Sequence, residues 1–149
     1  MKLDQNSFTK GGKITVTAEV ENTGKVDGET VVQMYIRDLA GSVTRPVKEL
    51  KGFEKVALKA GEKKQVSFTI DEALLAFYGI DMQKKAEPGD FTVWVGLNSA
   101  DETNQSSFSL AVKLIHINMK LLSKYIFSAH SWLLPEFRHR SIHAGEYVL

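Results

Sequence analysis

Residues 13–21 read KITVTAEVE, and apolar and polar side chains alternate along the whole stretch. Ile14, Val16, Ala18 and Val20 fall on one face, and the threonines and glutamates fall on the other. Such a period of two residues is typical of a β-strand that buries one face and exposes the other to water. The stretch therefore predicts a half-buried strand.

The alternation returns in four later segments of the chain. The first of them, Glu29–Asp38, has apolar or amphipathic side chains on both faces, which predicts a central strand of a sheet. Shorter alternating runs follow at Gln65–Ile70, Phe91–Gly96 and Phe108–Val112. Turn residues such as glycine, asparagine and proline separate the segments, so we expect antiparallel strands with short connections.

The segment Val47–Leu58 interrupts the pattern at Lys51 and Gly52. A glycine inside a strand often marks a β-bulge or an abrupt change of direction, because it lacks a side chain to pack and tolerates unusual backbone angles. We therefore expect one or two short strands in this segment.

Together these segments amount to about seven short antiparallel strands, and strands separated by turns at such intervals are typical of a β-sandwich. Asp71 is also placed to cap one helical turn, since its side-chain oxygen can accept from an unpaired backbone amide. The sequence predicts an all-β chain with an immunoglobulin-like or fibronectin type III-like sandwich of two sheets in residues 1–112. Residues 113–149 form an atypical C-terminal tail, for which a helix is one option.

Composition excludes several classes of protein. The chain has 149 residues, no cysteine and a formal net charge of +1. Disulfides are absent, and a protein near neutrality lacks the concentrated basic surface that nucleic-acid binding needs. No run of about 18 apolar residues occurs, so we expect no membrane span. The first residues include Asp4 and no apolar stretch, so we predict no signal peptide, and the compartment stays open.

Residues 111–149 differ in character from the rest of the chain. They carry a net charge of +3, against −2 for residues 1–110, and they hold all four histidines. His139 and His143 are spaced to share one helical face, with Glu146 nearby. Because no glutamate follows His139 in the pattern of zinc proteases, we predict no metal site.

The same tail has apolar residues at helical spacing, namely Ile115, Met119, Leu122 and Ile126. This spacing favours an amphipathic helix that packs on a partner or on the sandwich. The lysines of the segment make a modest cationic face, so binding to a membrane surface is the weaker interpretation. Apolar side chains that nothing covers also predict self-association through the tail.

No motif for catalysis occurs in residues 1–110. This part of the chain has no histidine, no cysteine, no G-x-S-x-G elbow and no Walker loop. Glycoside hydrolysis would need two acids held about 5 to 9.5 Å apart. We expect the acids to be solvated, capping or turn-forming instead, because they lie mostly at strand ends and turns: Asp38, Glu49, Glu54, Asp71, Glu72, Asp81, Glu87 and Asp90. We predict no catalytic residue and no cofactor.

Five stretches, read in order, resemble the fibronectin type III-like domain that ends family 3 glycoside hydrolases, the β-glucosidase and β-xylosidase type. The stretches are NTGKVDGETVVQMYIRD (Asn22–Asp38), SVTRPVKELKGFEKV (Ser42–Val56), LKAGEKKQVSFTI (Leu58–Ile70), LAFYG (Leu75–Gly79) and EPGDFTVWVG (Glu87–Gly96). The most specific element is RPVKELKGF, which begins at Arg45. The resemblance does not extend into residues 111–149, and a natural extension and a frameshifted or read-through tail both fit that departure.

The resemblance implies a noncatalytic role. In that family a barrel domain upstream supplies an aspartate nucleophile in an S-D-W context, and the following α/β domain commonly supplies a glutamate acid/base. This chain contains no S-D-W, so no catalytic residue carries over. The implied partners are the catalytic domains of such an enzyme, in cis in relatives and in trans here, where the chain would be a fragment or a separately encoded piece.

The segment around RPVKEL is the candidate docking site. We expect Arg45, Pro46, Lys48, Glu49 and Leu50 to be buried only against a partner, where the planar guanidinium can pair with a carboxylate through two nitrogens. Pro46 fixes its own backbone and withholds a donor at the place where the strand pattern fails. The alternative is an ordinary surface loop whose charges face water.

Two other functions also fit the sequence. A carbohydrate-binding module would use aromatic platforms, and the candidates for a sugar or interface contact are Trp94 and Tyr35. Because Trp94 alternates with Phe91, Val93 and Val95, we expect it either beneath a loop or exposed at an interface. The other function is that of a subunit completing a glycosidase whose catalytic domains are encoded on another chain.

Overall fold

A computed structural model describes residues 1–113 of the chain. They form ten strands and one short helix, which are β1 (Lys2–Leu3), β2 (Ser7–Thr9), β3 (Lys13–Glu21), β4 (Gly28–Asp38), β5 (Glu49–Leu58), β6 (Lys63–Asp71), α1 (Glu72–Leu75), β7 (Phe77–Tyr78), β8 (Lys84–Lys85), β9 (Gly89–Gly96) and β10 (Gln105–Ala111). The shortest strands β1, β2, β7 and β8 were not predicted, because an alternating pattern needs about four residues to be recognised.

Two sheets share one apolar core. The larger sheet has five strands in the order β2-β10-β9-β4-β5, and the smaller has three in the order β1-β3-β6. All neighbouring strands are antiparallel except β2 and β10, which are parallel. A separate hairpin pairs β7 with β8. The prediction of an all-β, fibronectin type III-like two-sheet sandwich is confirmed.

The core lies between these two sheets, and each long strand contributes the apolar face that its alternation predicts. The side chains with no exposed surface are Ile14, Val16, Ile70 and Val93. Aromatic rings stack in the same core, with the Phe91 and Phe108 centroids 5.3 Å apart and the Phe8 and Phe108 centroids 6.4 Å apart. The rings therefore join β2, β9 and β10 within the larger sheet.

The second long strand occupies the place that its two apolar faces predict. β4 pairs with β5 along one edge and with β9 along the other, so it is central in the larger sheet. Its outward-facing residues include Gln33 and Tyr35, which explains why the alternation there is amphipathic rather than strictly polar.

The irregular segment forms one ten-residue strand rather than one or two short ones. Met34 pairs with Gly52 and Tyr35 pairs with Leu50, so Lys51 is the extra residue of a β-bulge. The expected bulge is confirmed, whereas the expectation of short strands is wrong, because a bulge absorbs one residue without ending the ladder.

The predicted cap is also present. The Asp71 carboxylate accepts a hydrogen bond of 2.8 Å from the Leu74 amide at the start of α1. The remaining expectations concern residues 114–149, namely the amphipathic stretch, the His139–His143 pair and self-association through the tail, and they lie outside the described residues. The domain boundary near residue 112 stays a prediction.

Candidate functional site

The connection between β4 and β5 holds Arg45, Pro46 and Lys48, and the other two candidate docking residues, Glu49 and Leu50, begin β5. The arginine of the connection faces inward. The guanidinium carbon of Arg45 lies 4.2 Å from the centroid of the Phe77 ring, and a terminal nitrogen pairs with Glu49. Only 18% of the Arg45 side chain is exposed. A cation over an aromatic face is stabilised by the ring quadrupole, so this contact holds the connection against the β7 hairpin.

The lysine of the same connection makes an equivalent contact on the larger sheet. Lys48 Nζ lies 4.7 Å from the centroid of the Trp94 ring, and it donates to Glu102 at 2.9 Å and to the Ser99 carbonyl at 3.0 Å. Its side chain is only 13% exposed. Lys48 thus ties the connection to the end of β9 and to the loop that follows.

The charges of this segment are therefore paired within the chain. Glu49 binds Lys51 at 2.7 Å in addition to Arg45, and Lys48 has Glu102. The interpretation of a loop whose charges face water is wrong, because the basic side chains pack on aromatic rings and internal carboxylates. An Arg45 pairing with the carboxylate of a partner would require Glu49 to be displaced. The expectation that all five residues are buried only against a partner is wrong for Arg45 and Lys48, because both side chains are already largely buried within the chain. A docking role for the segment stays a prediction.

The apolar residues of the segment point the other way. Pro46 and Val47 are exposed, and Leu50 is 50% exposed. Phe53, at the end of RPVKELKGF, is 70% exposed on the outer face of the larger sheet. Sequence reasoning did not single out Phe53, and the signal that could have identified it is the bulge marked by Gly52, which changes the face that each neighbouring side chain takes.

The two aromatic candidates for sugar contact lie side by side. Tyr35 and Trp94 are partners across β4 and β9, and the Tyr35 hydroxyl donates to the Gln33 side chain. Trp94 is buried beneath the connection, which is one of the two positions that the alternation predicts. Since Lys48 covers its ring, Trp94 does not present the open platform that a carbohydrate-binding role requires.

A titration follows from this arrangement. The chain has a second tryptophan, Trp132, so the titration uses the Trp132→Phe variant, in which Trp94 alone emits. We expect cellobiose or xylobiose to leave the fluorescence of Trp94 unchanged, because the amine of Lys48 occupies the position over the ring. A saturable change in emission would contradict the prediction and restore the carbohydrate-binding interpretation. The Lys48→Ala variant is the matched control, since it removes the side chain that covers the ring.

One carboxylate attaches the start of the connection to the hairpin segment. The Ser42 hydroxyl donates to Glu87 at 2.6 Å and the Ser42 amide donates at 2.9 Å. These two hydrogen bonds hold the pKa of Glu87 below its ordinary value of 4.5. The attachment is therefore strongest when Glu87 is ionised.

Acid should loosen this attachment. Because the folded-state pKa of Glu87 is lowered, its ionised form stabilises the folded chain above the unfolded-state pKa, and the contribution is lost as the pH falls through the folded-state pKa. Between about pH 5 and about pH 3, we expect the melting temperature of the natural chain to fall more steeply than that of Glu87→Gln. Other lowered pKa values make acid weaken both proteins, namely those of Asp4, Glu62, Asp81 and Asp101.

The matched control is Glu54→Gln, since Glu54 has no ion-pair partner within residues 1–113. Equal slopes for the natural chain and Glu87→Gln would show that ionisation of Glu87 does not contribute to stability.

Three other acids have local structural partners. Asp38 accepts from the Ala40 amide, Asp81 pairs with Lys85 at 2.6 Å, and Asp90 accepts from the Ser109 hydroxyl at 2.6 Å. Within residues 1–113, no group of three or more metal-binding side chains lies together. No helix in this part of the chain is long and apolar enough to cross a membrane.

Comparison with known proteins agrees with the fold. Residues 30–99 match the family model of the fibronectin type III-like domain. The chain is 50% identical over 108 residues to the periplasmic β-glucosidase of Salmonella typhimurium, covering 72% of this chain and 14% of that protein. It is 49% identical over 113 residues to a β-xylosidase of Formosa agariphila, covering 75% of this chain and 15% of that protein.

Solved structures give the same picture. A β-glucosidase from Listeria innocua in complex with gluconolactone superposes with a TM-score of 0.66 and 38% identity, covering 75% of this chain and 15% of that chain. The present chain thus spans about a seventh of the length of the proteins that it matches.

Proposed function

Residues 30–99 of this chain belong to the fibronectin type III-like domain family, as the resemblance predicts, and we propose that the chain is a noncatalytic docking module of a β-glucosidase-type enzyme. Its role is to bind the catalytic part of such an enzyme and to stabilise it. The relatives join this domain to the rest of the enzyme within one polypeptide, which supports an affinity between the two parts.

The observation that supports this proposal best is the geometry of the Arg45–Leu50 segment. Two cation–π contacts and three ion pairs hold its backbone against the sandwich while Val47 and Leu50 remain exposed. A rigid loop that presents apolar side chains is pre-organised for binding, because little conformational freedom is lost on contact. Holding the loop in one conformation costs conformational entropy that a solvated loop would keep. This cost supports a functional role for the position of the loop.

Two buried donors strengthen this argument. Arg45 Nε, within the segment, and Trp94 Nε1, on the ring that Lys48 covers, are buried and have no hydrogen-bond partner within residues 1–113. An unsatisfied buried donor costs about 1 to 3 kcal/mol. Folds accept such costs mainly where function fixes the arrangement.

Reconstitution tests the proposal. The partner is the Salmonella typhimurium β-glucosidase from which the segment matching this chain has been removed. We expect the full 149-residue chain to raise the melting temperature of this partner in a concentration-dependent way, because a ligand that binds only the folded state stabilises it. The measurement is differential scanning fluorimetry of the partner, read together with its residual hydrolysis of an aryl glucoside.

An unrelated β-sandwich of similar size is the control for nonspecific protein effects. If the melting temperature and the residual activity of the partner stay unchanged at a large excess of this chain, the docking role is wrong.

A further inference from the structure

The bulge in β5 changes which side chains share a face. In a regular antiparallel strand, residues three positions apart point to opposite faces. Leu50 and Phe53 are three positions apart, yet they pair with Tyr35 and Gln33, which are two apart on β4 and therefore share a face. The extra residue Lys51 thus turns Leu50 to the outer face of the larger sheet, beside Phe53.

The outer face around this bulge is apolar and accessible. Val31, Leu50 and Phe53 are all exposed there, and we call these three side chains the outer patch. A bulge that re-aims an apolar residue toward solvent costs burial energy, because the same residue on the inner face would join the core. Exposed apolar clusters of this kind mark interaction sites.

Most of the charged groups beside the outer patch form ion pairs within the chain. Lys55 pairs with Glu29 at 2.5 Å next to Val31. On the other side, Lys48 pairs with Glu102, and Arg45 and Lys51 both pair with the single carboxylate of Glu49. The rim of the patch beside Leu50 therefore keeps an excess positive charge, while its centre is apolar.

We propose that the outer patch is the surface on which the catalytic part of a β-glucosidase-type enzyme docks, through an apolar area of its own. This inference rests on the proposed docking function and specifies its contact. Arg45 and Lys48 are positioning residues that hold the connection from behind, and they do not touch the partner. In each matched protein, the rest of the polypeptide is about six times as long as the part that matches this domain. We assign the catalytic part as the occupant because it belongs to that same polypeptide.

A pair of variants tests the contact. The Leu50→Ser/Phe53→Ser double variant of the full chain removes the centre of the outer patch at exposed positions, so folding should be preserved. Affinity is measured by isothermal titration into the same truncated Salmonella typhimurium β-glucosidase. Because a few side chains near the centre of an interface carry most of its binding energy, we expect loss of the two central ones to weaken binding at least about tenfold, which corresponds to about 1.4 kcal/mol.

The matched control is Val26→Ser, which removes an equally exposed apolar side chain, 76% accessible, at a turn outside the patch. It should bind as tightly as the natural chain. Melting temperatures of all three proteins establish that each is folded.

Each outcome decides one point. If the natural chain binds and the double variant binds equally well, the outer patch is not the contact, although the docking function stands. If the natural chain does not bind at all, both proposals fall. If sedimentation shows a dimer of the natural chain that the double variant loses, a second copy of this chain is the occupant, and the assignment to the catalytic part is overturned.

Discussion

Replacing Phe108 with alanine should destabilise the sandwich by about 3 to 5 kcal/mol. Phe108 is almost fully buried, and its ring stacks on Phe91 and Phe8 at the centre of the larger sheet. Truncation removes the transfer free energy of the ring, leaves a cavity and breaks two aromatic contacts. Since small domains have total stabilities of about 5 to 15 kcal/mol, the loss is a large share of the whole.

The measurement is the urea midpoint of the full chain, followed by circular dichroism. Phe53→Ala is the matched control, because it makes the same chemical change at a side chain that is 70% exposed. Its cost should stay below about 1 kcal/mol, as for other surface substitutions. If the two variants unfold at the same urea concentration, the core is not where the structure places it.

Replacing Gly52 with leucine should cost about 1 to 3 kcal/mol through overpacking. A Cβ atom at this position would lie 3.2 Å from the Phe68 ring and 3.5 Å from the Met34 methyl group. Both neighbours are buried core residues, so the larger leucine side chain must displace them. The substitution also sits next to the bulge, so a shifted register would move Leu50 away from the outer face.

Gly28→Leu is the control, because a Cβ atom added at Gly28 would meet no atom within 4 Å beyond its chain neighbours, and the residue begins β4. We expect this variant to be neutral or slightly stabilising, since glycine is unfavourable within a strand. The urea midpoint again measures both variants. A Gly52→Leu chain as stable as Gly28→Leu would show that the close approach of Phe68 is not required.

Much of the fold could be predicted because it depends on local patterns. The alternation in residues 13–21 predicts β3 to the residue, and the amphipathic character of Glu29–Asp38 predicts the central position of β4. The cap at Asp71 is a matter of a few neighbouring atoms, so the sequence predicts it as well. Short strands such as β1 and β7 depend on distant partners and leave no pattern of their own.

The candidate site could be predicted only in part. The sequence indicates that the segment after Arg45 is special, but it cannot indicate that Arg45 covers Phe77, which is 32 positions later in the chain. The contact of Lys48 with Trp94 is likewise tertiary. The sequence predicts one docking set of charged and apolar residues, whereas the structure packs Arg45 and Lys48 on aromatic rings and leaves Pro46 and Leu50 exposed. The bulge at Lys51 is what turns Leu50 to the outer face.

Hydrogen–deuterium exchange of the full chain, with and without the catalytic part of the Salmonella typhimurium enzyme, tests docking through the outer patch most directly. β5 is an edge strand, so part of its backbone amides have no strand partner and exchange readily in the free chain. We expect slower exchange in residues 42–58 at saturating partner and no change in β3 and β6. Slower exchange confined to β3 and β6, or no change anywhere, would contradict docking through this surface.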